Sequence, residues 1–315
     1  MWVTTGSVSG SLGTTSCDDT GMILRSLSKK QKLHASFANA SPFPEFPHPT
    51  PAEALEVHQI LSGKRPPLVR RPPQMATNNS AQTCGNVPNV MDSVIGTILS
   101  QNTSSINSTR AKKGLDEAFG HNNFEAIANA PRDQVVDAIR AGGLANKKAG
   151  MIQALLHQVK ARHGVYSLQH LAGECQSATD KPSDLQDEEI MHQLLSYDGI
   201  GPKTASCVLL FCLGRDSFAV DTHVYRLTRL LGWIPTKANR VLAQAHLDAR
   251  VPAHLKYDLH VLMVQHGRAC RGCKKPDARQ HCPLKDYLKQ KGATSKEDNQ
   301  FGDFSENGVQ GEMEN

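Results

Sequence analysis

The chain has 315 residues, a net charge of +5 and a hydrophobic content of 39%, which is enough for a sizeable core. No apolar run reaches the roughly 18 residues of a membrane-spanning helix, and an aromatic content of 5% argues against an all-β sandwich. The first 40 residues lack the apolar segment and cleavage site of a secretory signal, so we expect an intracellular protein, in the nucleus or alternatively in the mitochondrion. Its eight cysteines are then expected to be buried thiols or metal ligands rather than disulfides.

Both ends of the chain are predicted to be irregular. Residues 1–87 contain two proline-rich stretches, 41–51 and 64–74, which favour extended backbone rather than packed structure. The spacing of apolar residues predicts a short helix between them, at 52–61. Residues 291–315 are polar and acidic, with 2 Lys/Arg against 6 Asp/Glu, and we expect them to be disordered.

Between these arms, residues 88–290 are predicted to form one all-α domain. Apolar residues recur there with helical spacing, and no stretch alternates long enough to indicate a sheet. The domain holds 25 Lys/Arg against 19 Asp/Glu, which fits a nucleic-acid partner, although a merely solvated charged surface has the same composition. The predicted helices are 90–101, 146–164, 188–197, 203–214, 223–233 and 254–267, the second and the last of which end at a glycine.

A tight turn, DGIGP (198–202), connects two of these predicted helices. Gly199 and Gly201 permit backbone conformations that are closed to other residues, and they leave the turn almost bare of side chains. Pro202 suits the first helical position, where its missing N–H costs nothing. Backbone amides at a helix start bind anions, and a DNA duplex offers a phosphate at every nucleotide. The turn alone is explained equally well by an αα-hairpin that only joins two core helices.

Lys203 lies in the first turn of the second helix, where the helix dipole disfavours a positive charge. A lysine in this place, partly withdrawn from water, loses its proton more easily, and a neutral amine can form a Schiff base. Asp221 follows 18 residues later. The intervening helix spans about 18 Å, so the loop 214–220 can return Asp221 towards Lys203. Asp221 is also a common type of N-cap residue, and it can serve both purposes.

The segment LLSYDGIGPKTASCVLLFCLGRDSFAVDTHVYRL (194–227) resembles the helix-hairpin-helix DNA glycosylase superfamily, and most closely its endonuclease III-like branch. The shared pattern is Gly-hydrophobic-Gly-x-Lys-Thr-Ala, a buried helix, and Val-Asp-Thr-His. The resemblance runs from about residue 89 to residue 288. It implies that Lys203 attacks C1′ of a damaged nucleotide, expels the base and supports strand cleavage by β-elimination, with Asp221 as the catalytic carboxylate.

The resemblance also implies which residues contact DNA. The hairpin of Gly199, Ile200 and Gly201 would hold a phosphate through backbone amides, often with a monovalent cation. Gln101, in ILSQNT (98–103), would fill the gap that a flipped base leaves. The remaining candidates are Leu144, which would wedge into the base stack, Lys148 in the same GGLANKKA loop, and His223 of the Val-Asp-Thr-His motif. Without the resemblance, Gln101 reads as a polar residue at a helix end and Leu144 as an ordinary core leucine.

Two positions depart from the family pattern. Ser104 stands where the family has an acidic residue in the lesion pocket, which puts the base preference in doubt but not the reaction. Pro202 replaces the usual basic residue before the lysine and removes one charge that would attract phosphate.

The segment HGRACRGCKKPDARQHCPL (266–284) lies where the family carries a 4Fe-4S cluster held by four cysteines. Cys270 and Cys282 match the first and third of these cysteines. Arg279 and Leu288 stand at the second and fourth places. We therefore expect no 4Fe-4S cluster.

A zinc site is the alternative for these cysteines. Cys273 is an additional cysteine, and its spacing from Cys270 is one that zinc sites use. His281 would complete a set of four ligands, but it is adjacent to Cys282, and adjacent residues suit one tetrahedral ion poorly. The leading interpretation is that Cys270, Cys273 and Cys282 bind no metal.

The resemblance implies two helical subdomains with an active cleft between them. We expect residues 88–100 to join the C-terminal helices 223–290, and residues 104–213 to form the other subdomain. We expect a monomer that binds double-stranded DNA containing a damaged base or an abasic site. Its predicted activity is that of a DNA glycosylase and AP lyase in base excision repair, with oxidised pyrimidines as the preferred lesions. The alternatives are a glycosylase for mismatched or methylated bases and a non-catalytic DNA-binding protein, which would need neither Lys203 nor Asp221.

Overall fold

The computed structural model describes residues 29–37, 40–63, 88–173, 185–274 and 280–301. These residues form helices and contain no β-strand, which confirms the predicted all-α fold. Within them, no helix is both long enough and apolar enough to cross a membrane. The second proline-rich stretch and most of the residues predicted to form disordered arms lie outside the described ranges.

The predicted helices are all present, with small shifts at their ends. Two short 3₁₀ segments, Arg140–Gly142 and Gln169–Ala172, and a π-helical turn, Val208–Cys212, complete the helical structure. The α-helices are α1 (Lys29–Ala35), α2 (Pro51–Ser62), α3 (Val90–Leu99), α4 (Ser105–Phe119), α5 (Phe124–Asn129), α6 (Arg132–Ala138), α7 (Ala145–His163), α8 (Asp187–Leu195), α9 (Pro202–Cys207), α10 (Thr222–Leu230), α11 (Arg240–Arg250), α12 (Ala253–Ala269) and α13 (Pro283–Phe301).

The first subdomain is a helical core built from α3 to α9 and the π-helical turn. Helix α3 lies at its centre, because nine of its ten residues are buried and it packs against α4, α7, α9 and the π-helical turn. The prediction that residues 88–100 join the C-terminal helices is therefore wrong. The apolar repeat shows that this helix is buried, but it carries no information about which neighbours bury it.

The second subdomain combines the C-terminal helices with an early part of the chain. Residues from Phe218 to Leu284 form its core together with Ala54 and Val57, which are fully buried on one face of α2. Helix α2 packs against α12 and α13, and Tyr287 Oη donates a hydrogen bond to Glu56 Oε2 at 2.6 Å. Residues near the N-terminus thus supply the helix that the sequence assigns to 88–100.

The proline-rich stretch before α2 is extended, but it is also packed, contrary to the sequence prediction. His246 on α11 donates from Nε2 to the carbonyl of His48 at 2.6 Å, and its Nδ1 lies 2.6 Å from Ser41 Oγ. Arg250 donates to the carbonyl of Phe46 at 2.7 Å. Prolines leave carbonyl groups available as acceptors, and side chains of α11 bind those groups here.

A buried ion cluster ties α3 to α4. Lys112 Nζ lies 2.9 Å from Asp92 Oδ1 and 2.5 Å from Asp116 Oδ1. Lys112 and Asp92 are both less than a tenth exposed, so water contributes little to their solvation. Buried charges are stable only when each one keeps a partner of opposite sign.

The two subdomains meet beside the π-helical turn. A small apolar cluster formed by Cys207, Leu210, Phe211 and Ala219 packs against α12. The start of α9 belongs to the first subdomain and the start of α10 to the second, so this junction positions the candidate site.

Candidate active site and cysteine cluster

Two glycines shape the hairpin between α8 and α9, and the structure explains each of them differently. Gly199 has φ of 81°, and a Cβ on it would lie 2.8 Å from Met151 Cε, so both the backbone and the packing require glycine. Gly201 has an ordinary φ of −107°, and a Cβ on it would meet no atom within 4 Å. Ile200 between them is buried in the first core and anchors the turn. The space in front of Gly201 is therefore open to a ligand.

Lys203 is the second residue of α9, immediately after Pro202 at the helix start. Its side chain is half-buried. Both features match the sequence prediction that the lysine stands in the first turn of a helix and is partly withdrawn from water.

Asp221 is the N-cap residue of α10. Its Oδ1 accepts hydrogen bonds from the backbone amides of His223 and Val224, both at 2.8 Å. The capping role predicted for Asp221 is therefore confirmed. Because both bonds use one oxygen, the second carboxylate oxygen remains able to act on a ligand.

His260 on α12 is influenced by the charges of both Lys203 and Asp221. Its Nδ1 donates a hydrogen bond to the carbonyl of Ala219 at 2.7 Å, in a buried place. Burial lowers the pKa of His260 to about 4, the negative charge of Asp221 opposes this shift, and the positive charge of Lys203 adds to it. Lys203 and Asp221 therefore both lie near one neutral imidazole. Sequence reasoning missed His260, whose only signal was a histidine at a buried position of an apolar helix.

Gln101 lies beside the start of α9, because its Nε2 donates to Thr204 Oγ1 at 3.3 Å. Ser104, the residue that departs from the family pattern, is the N-cap of α4 and accepts from the amide of Asn107 at 3.2 Å. A serine at this place thus begins a helix, and it adds no negative charge near Gln101.

Leu144 is not a core residue. Its side chain is 54% exposed, and its backbone is left-handed, with φ of 51° and ψ of 33°, directly before α7. A leucine in this conformation costs about 1–2 kcal/mol relative to a right-handed one. An exposed apolar side chain held in a strained conformation indicates a function that the fold itself does not require.

Lys148 supports this loop from the protein interior, where its ammonium group is not exposed to solvent. It is 2% exposed, and its Nζ donates to the carbonyls of Leu99 and Gly142, both at 2.8 Å. Burial lowers the pKa of this ammonium group. The burial of Lys148 was not apparent from the sequence, and its predicted DNA contact stays a prediction. Lys148 instead holds the Leu144 loop against the end of α3.

His223 is half-buried in the first turn of α10, and it packs against α12. A Cβ on Gly267 would lie 2.7 Å from His223 Cβ, so only glycine allows the two helices to approach this closely. The prediction that α12 ends at Gly267 is wrong, because the helix continues to Ala269. This glycine serves packing instead of helix termination.

The cysteines of the C-terminal segment come together with a histidine that sequence reasoning missed. The ligand atoms of His266, Cys270, Cys273 and Cys282 all lie within 4.8 Å of one another. His281, the predicted partner, is instead 81% exposed, and its Nε2 lies 2.9 Å from Asp286 Oδ2. The available signal was the spacing of His266 and Cys270, which are one helical turn apart.

These residues do not fit the 4Fe-4S cluster that the resemblance places in this region. Such a cluster takes a ligand on each of four different iron atoms, usually four thiolates, so its ligands stand farther apart than those of a single ion. Three thiols and one imidazole within 4.8 Å match a single ion better.

Comparison with known proteins agrees with this geometry. Residues 95–253, just over half of the chain, match the family described as HhH-GPD superfamily base excision DNA repair protein. The chain is 39% identical over 186 residues to an Arabidopsis thaliana protein named "Putative DNA glycosylase At3g47830", and the match covers 59% of each chain. It is 29% identical over 210 residues to endonuclease III of Sulfolobus acidocaldarius, covering 67% of this chain and 86% of that protein.

Among solved structures, a non-covalent endonuclease III–DNA complex matches with a TM-score of 0.52 and 20% identity. The match covers 77% of this chain and 95% of that one, and it shows a shared fold. The chain belongs to the HhH-GPD superfamily of base excision DNA repair proteins.

Proposed function

We propose that this protein is a DNA glycosylase with AP lyase activity, which removes oxidised pyrimidines from double-stranded DNA. The observation that carries the proposal is that the charges of Lys203 and Asp221, from two subdomains, both act on the buried imidazole of His260. Family membership supports a base excision repair function, and the relatives described above carry the names "Putative DNA glycosylase At3g47830" and endonuclease III.

DNA binding is assigned to three features on one side of the junction. The amides at the start of α9 face the open space at Gly201 and bind a backbone phosphate, with a monovalent cation as a further ligand of the hairpin. Leu144 enters the base stack, and its strained backbone holds the side chain away from the protein core. Gln101 occupies the gap left by the extruded base. Extrusion of the base costs roughly a few kcal/mol of lost stacking.

The reaction begins with the neutral amine of Lys203. Its nitrogen attacks C1′, the bond from C1′ to the base breaks, and the base leaves with the electron pair and takes up a proton. The amine nitrogen loses a proton, the bond from C1′ to O4′ breaks as O4′ takes up a proton, and a Schiff base forms between Lys203 and C1′. Loss of a proton from C2′ then expels the 3′ phosphate, and water hydrolyses the Schiff base to release Lys203.

Asp221 stabilises positive charge on the sugar as the base leaves. Its Oδ1 is fixed by the two amides of α10, so the carboxylate keeps a constant orientation during the reaction. His260 is neutral at neutral pH, so it does not compete with Lys203 as a second positive charge.

The lesion class rests on Ser104, which caps α4 close to Gln101 in the sequence and supplies no carboxylate there. A neutral surface at this place suits a base that is recognised through its own hydrogen-bonding groups. A lesion series distinguishes the candidates: duplexes with thymine glycol, with a G·T mismatch and with 5-methylcytosine are compared under single-turnover conditions. Fastest release of thymine glycol is the expected result.

The chemistry is tested by trapping with borohydride on duplexes that contain thymine glycol or an abasic site. Wild-type protein is expected to form a covalent adduct, and Lys203→Ala is expected to form none. Lys113→Ala is the matched control, because Lys113 is a 71% exposed lysine on α4. Wild type that binds the duplex but forms no adduct on either substrate would leave a monofunctional enzyme or a binding protein. An adduct that persists in Lys203→Ala would assign the nucleophile to another residue.

A further inference from the structure

We propose that His266, Cys270, Cys273 and Cys282 bind one zinc ion in a closed structural site in the second subdomain. Zinc is bound by thiolates and imidazoles in tetrahedral sets of four protein ligands, and this set contains three cysteines and one histidine. The site is independent of the reaction proposed for Lys203.

The distances in the cluster match a single tetrahedral ion. Bond lengths of about 2.3 Å to sulfur and about 2.0 Å to nitrogen place sulfur and nitrogen ligands about 3.5 Å apart, and two sulfurs about 3.8 Å apart. Cys282 Sγ lies 3.6 Å from His266 Nε2, and the four ligand atoms all lie within 4.8 Å of one another. Small rotations of these side chains are enough to complete the tetrahedron.

The backbone brings the four ligands together without help from the ion. His266 and Cys270 are one turn apart at the end of α12, where the amide of Cys270 donates to the carbonyl of His266 at 2.8 Å. A Cβ on Gly272 would lie 2.4 Å from the carbonyl oxygen of Gln280, so the two sides of the loop touch. This close approach places Cys282 beside the first cysteine pair.

The charge of the loaded site is balanced by a neighbouring arginine. Three thiolates, a neutral imidazole and Zn²⁺ carry a net charge of −1. Arg226 on α10 donates hydrogen bonds to the carbonyls of Cys273 and Gly267. A guanidinium group that donates to the backbone carbonyl of a ligand residue is the kind of outer partner that stabilises metal sites.

Zinc is favoured over other ions by the ligand chemistry. Thiolates select zinc, monovalent copper and iron–sulfur clusters, whereas magnesium and calcium require oxygen ligands. Four protein ligands, of which Cys273 and Cys282 are buried, leave no open position for a substrate. The ion therefore joins α12 to α13 and has no catalytic role.

The test uses full-length protein purified without added chelator. Elemental analysis is expected to find one zinc per chain in the wild type and in His281→Asn, which removes the adjacent exposed histidine. His266→Asn is expected to lower zinc affinity by more than the roughly 10–100-fold that loss of an outer partner costs. His266→Cys is expected to restore binding through a fourth thiolate. Cys207→Ser, a cysteine buried elsewhere, controls for general loss of a thiol.

A second measurement does not depend on the folding of variants. Wild-type protein is stripped of metal and loaded with Co²⁺, which is expected to give the visible absorption of a tetrahedral thiolate site. Absence of both zinc and this absorption would overturn the proposal. Iron together with acid-labile sulfide would show an iron–sulfur cluster in place of the zinc ion and would also overturn the proposal. Unchanged zinc affinity in His266→Asn would show that His266 is not a ligand.

Discussion

Replacing Asp221 by asparagine and by alanine separates its charge from its capping role. Asp221→Asn keeps an oxygen at the place of Oδ1, so the amides of His223 and Val224 keep their acceptor. Asparagine and aspartate are about equally good N-cap residues. Asp221→Ala removes the acceptor and the charge together. Both variants are expected to lose catalysis, and only the alanine variant is expected to lose stability.

The size of the stability loss follows from the burial of the capped amides. Val224 is fully buried and His223 is half-buried, so water replaces the lost acceptor poorly. The loss for Asp221→Ala is therefore expected in the upper part of the usual range, at about 1–2 kcal/mol. In a folded unit of this size, that loss lowers Tm by roughly 2–8 °C. Asp221→Asn is expected to stay within about 0.5 kcal/mol of the wild type.

Thermal unfolding and single-turnover base release are measured on the same preparations. Catalysis is expected to fall by about 100-fold or more in both variants, because each lacks the carboxylate charge. Base release near the wild-type rate in Asp221→Asn would refute a role for that charge. Equal melting temperatures for the two variants would refute the contribution of the cap.

Three further perturbations test the fold and the site. Lys112→Met removes the ammonium group that pairs with the carboxylates of Asp92 and Asp116, and we expect the free energy of unfolding to fall by about 3–5 kcal/mol in denaturant titrations. Leu144→Ala is expected to leave Tm unchanged, because the side chain is exposed, while base release from duplex DNA slows. The pKa of His260 is lowered from 6.5 to about 4, so the unfolded chain binds the proton first as the pH falls. The contribution of neutral His260 to the free energy of unfolding is complete above pH 6.5. About 3 kcal/mol of this free energy is lost as the pH falls from 6.5 to about 4.

Each of these perturbations has a matched control in the chain. Lys113→Met changes an exposed lysine on the same helix as Lys112 and should cost less than about 1 kcal/mol. Leu55→Ala removes a 43% exposed leucine of α2 and should leave base release unchanged. His260→Gln should flatten the acid side of the stability profile, and a profile as steep as that of the wild type would assign the pH dependence to other groups.

Local features were predictable from the sequence, because short-range chemistry decides them. The start of α9 at Pro202, the end of α7 at Gly164 and the cap at Asp221 all depend on residues within one or two turns. The helix-hairpin-helix turn is local in the same sense. These features could be placed without knowledge of the tertiary structure.

Packing partners and burial were not predictable in the same way. Helix α3 has an apolar stripe and is buried nearly all round, and the stripe does not say which subdomain contains the helix. The burial of Lys148 depends on two carbonyls that come from separate parts of the chain. His266 was missed because it precedes all three cysteines, and the sequence argument had paired them with His281, which lies between Cys273 and Cys282.

Because the second subdomain combines α2 with C-terminal helices, it has a consequence for folding during translation. Helix α2 is synthesised about 220 residues before its partner α13, which corresponds to roughly 10–45 s of translation. The first subdomain can fold during that interval, since all of its helices lie between α2 and α10. Lys203 is thus in place before Asp221, and a nascent chain has no complete active site until α10 and α12 have left the exit tunnel.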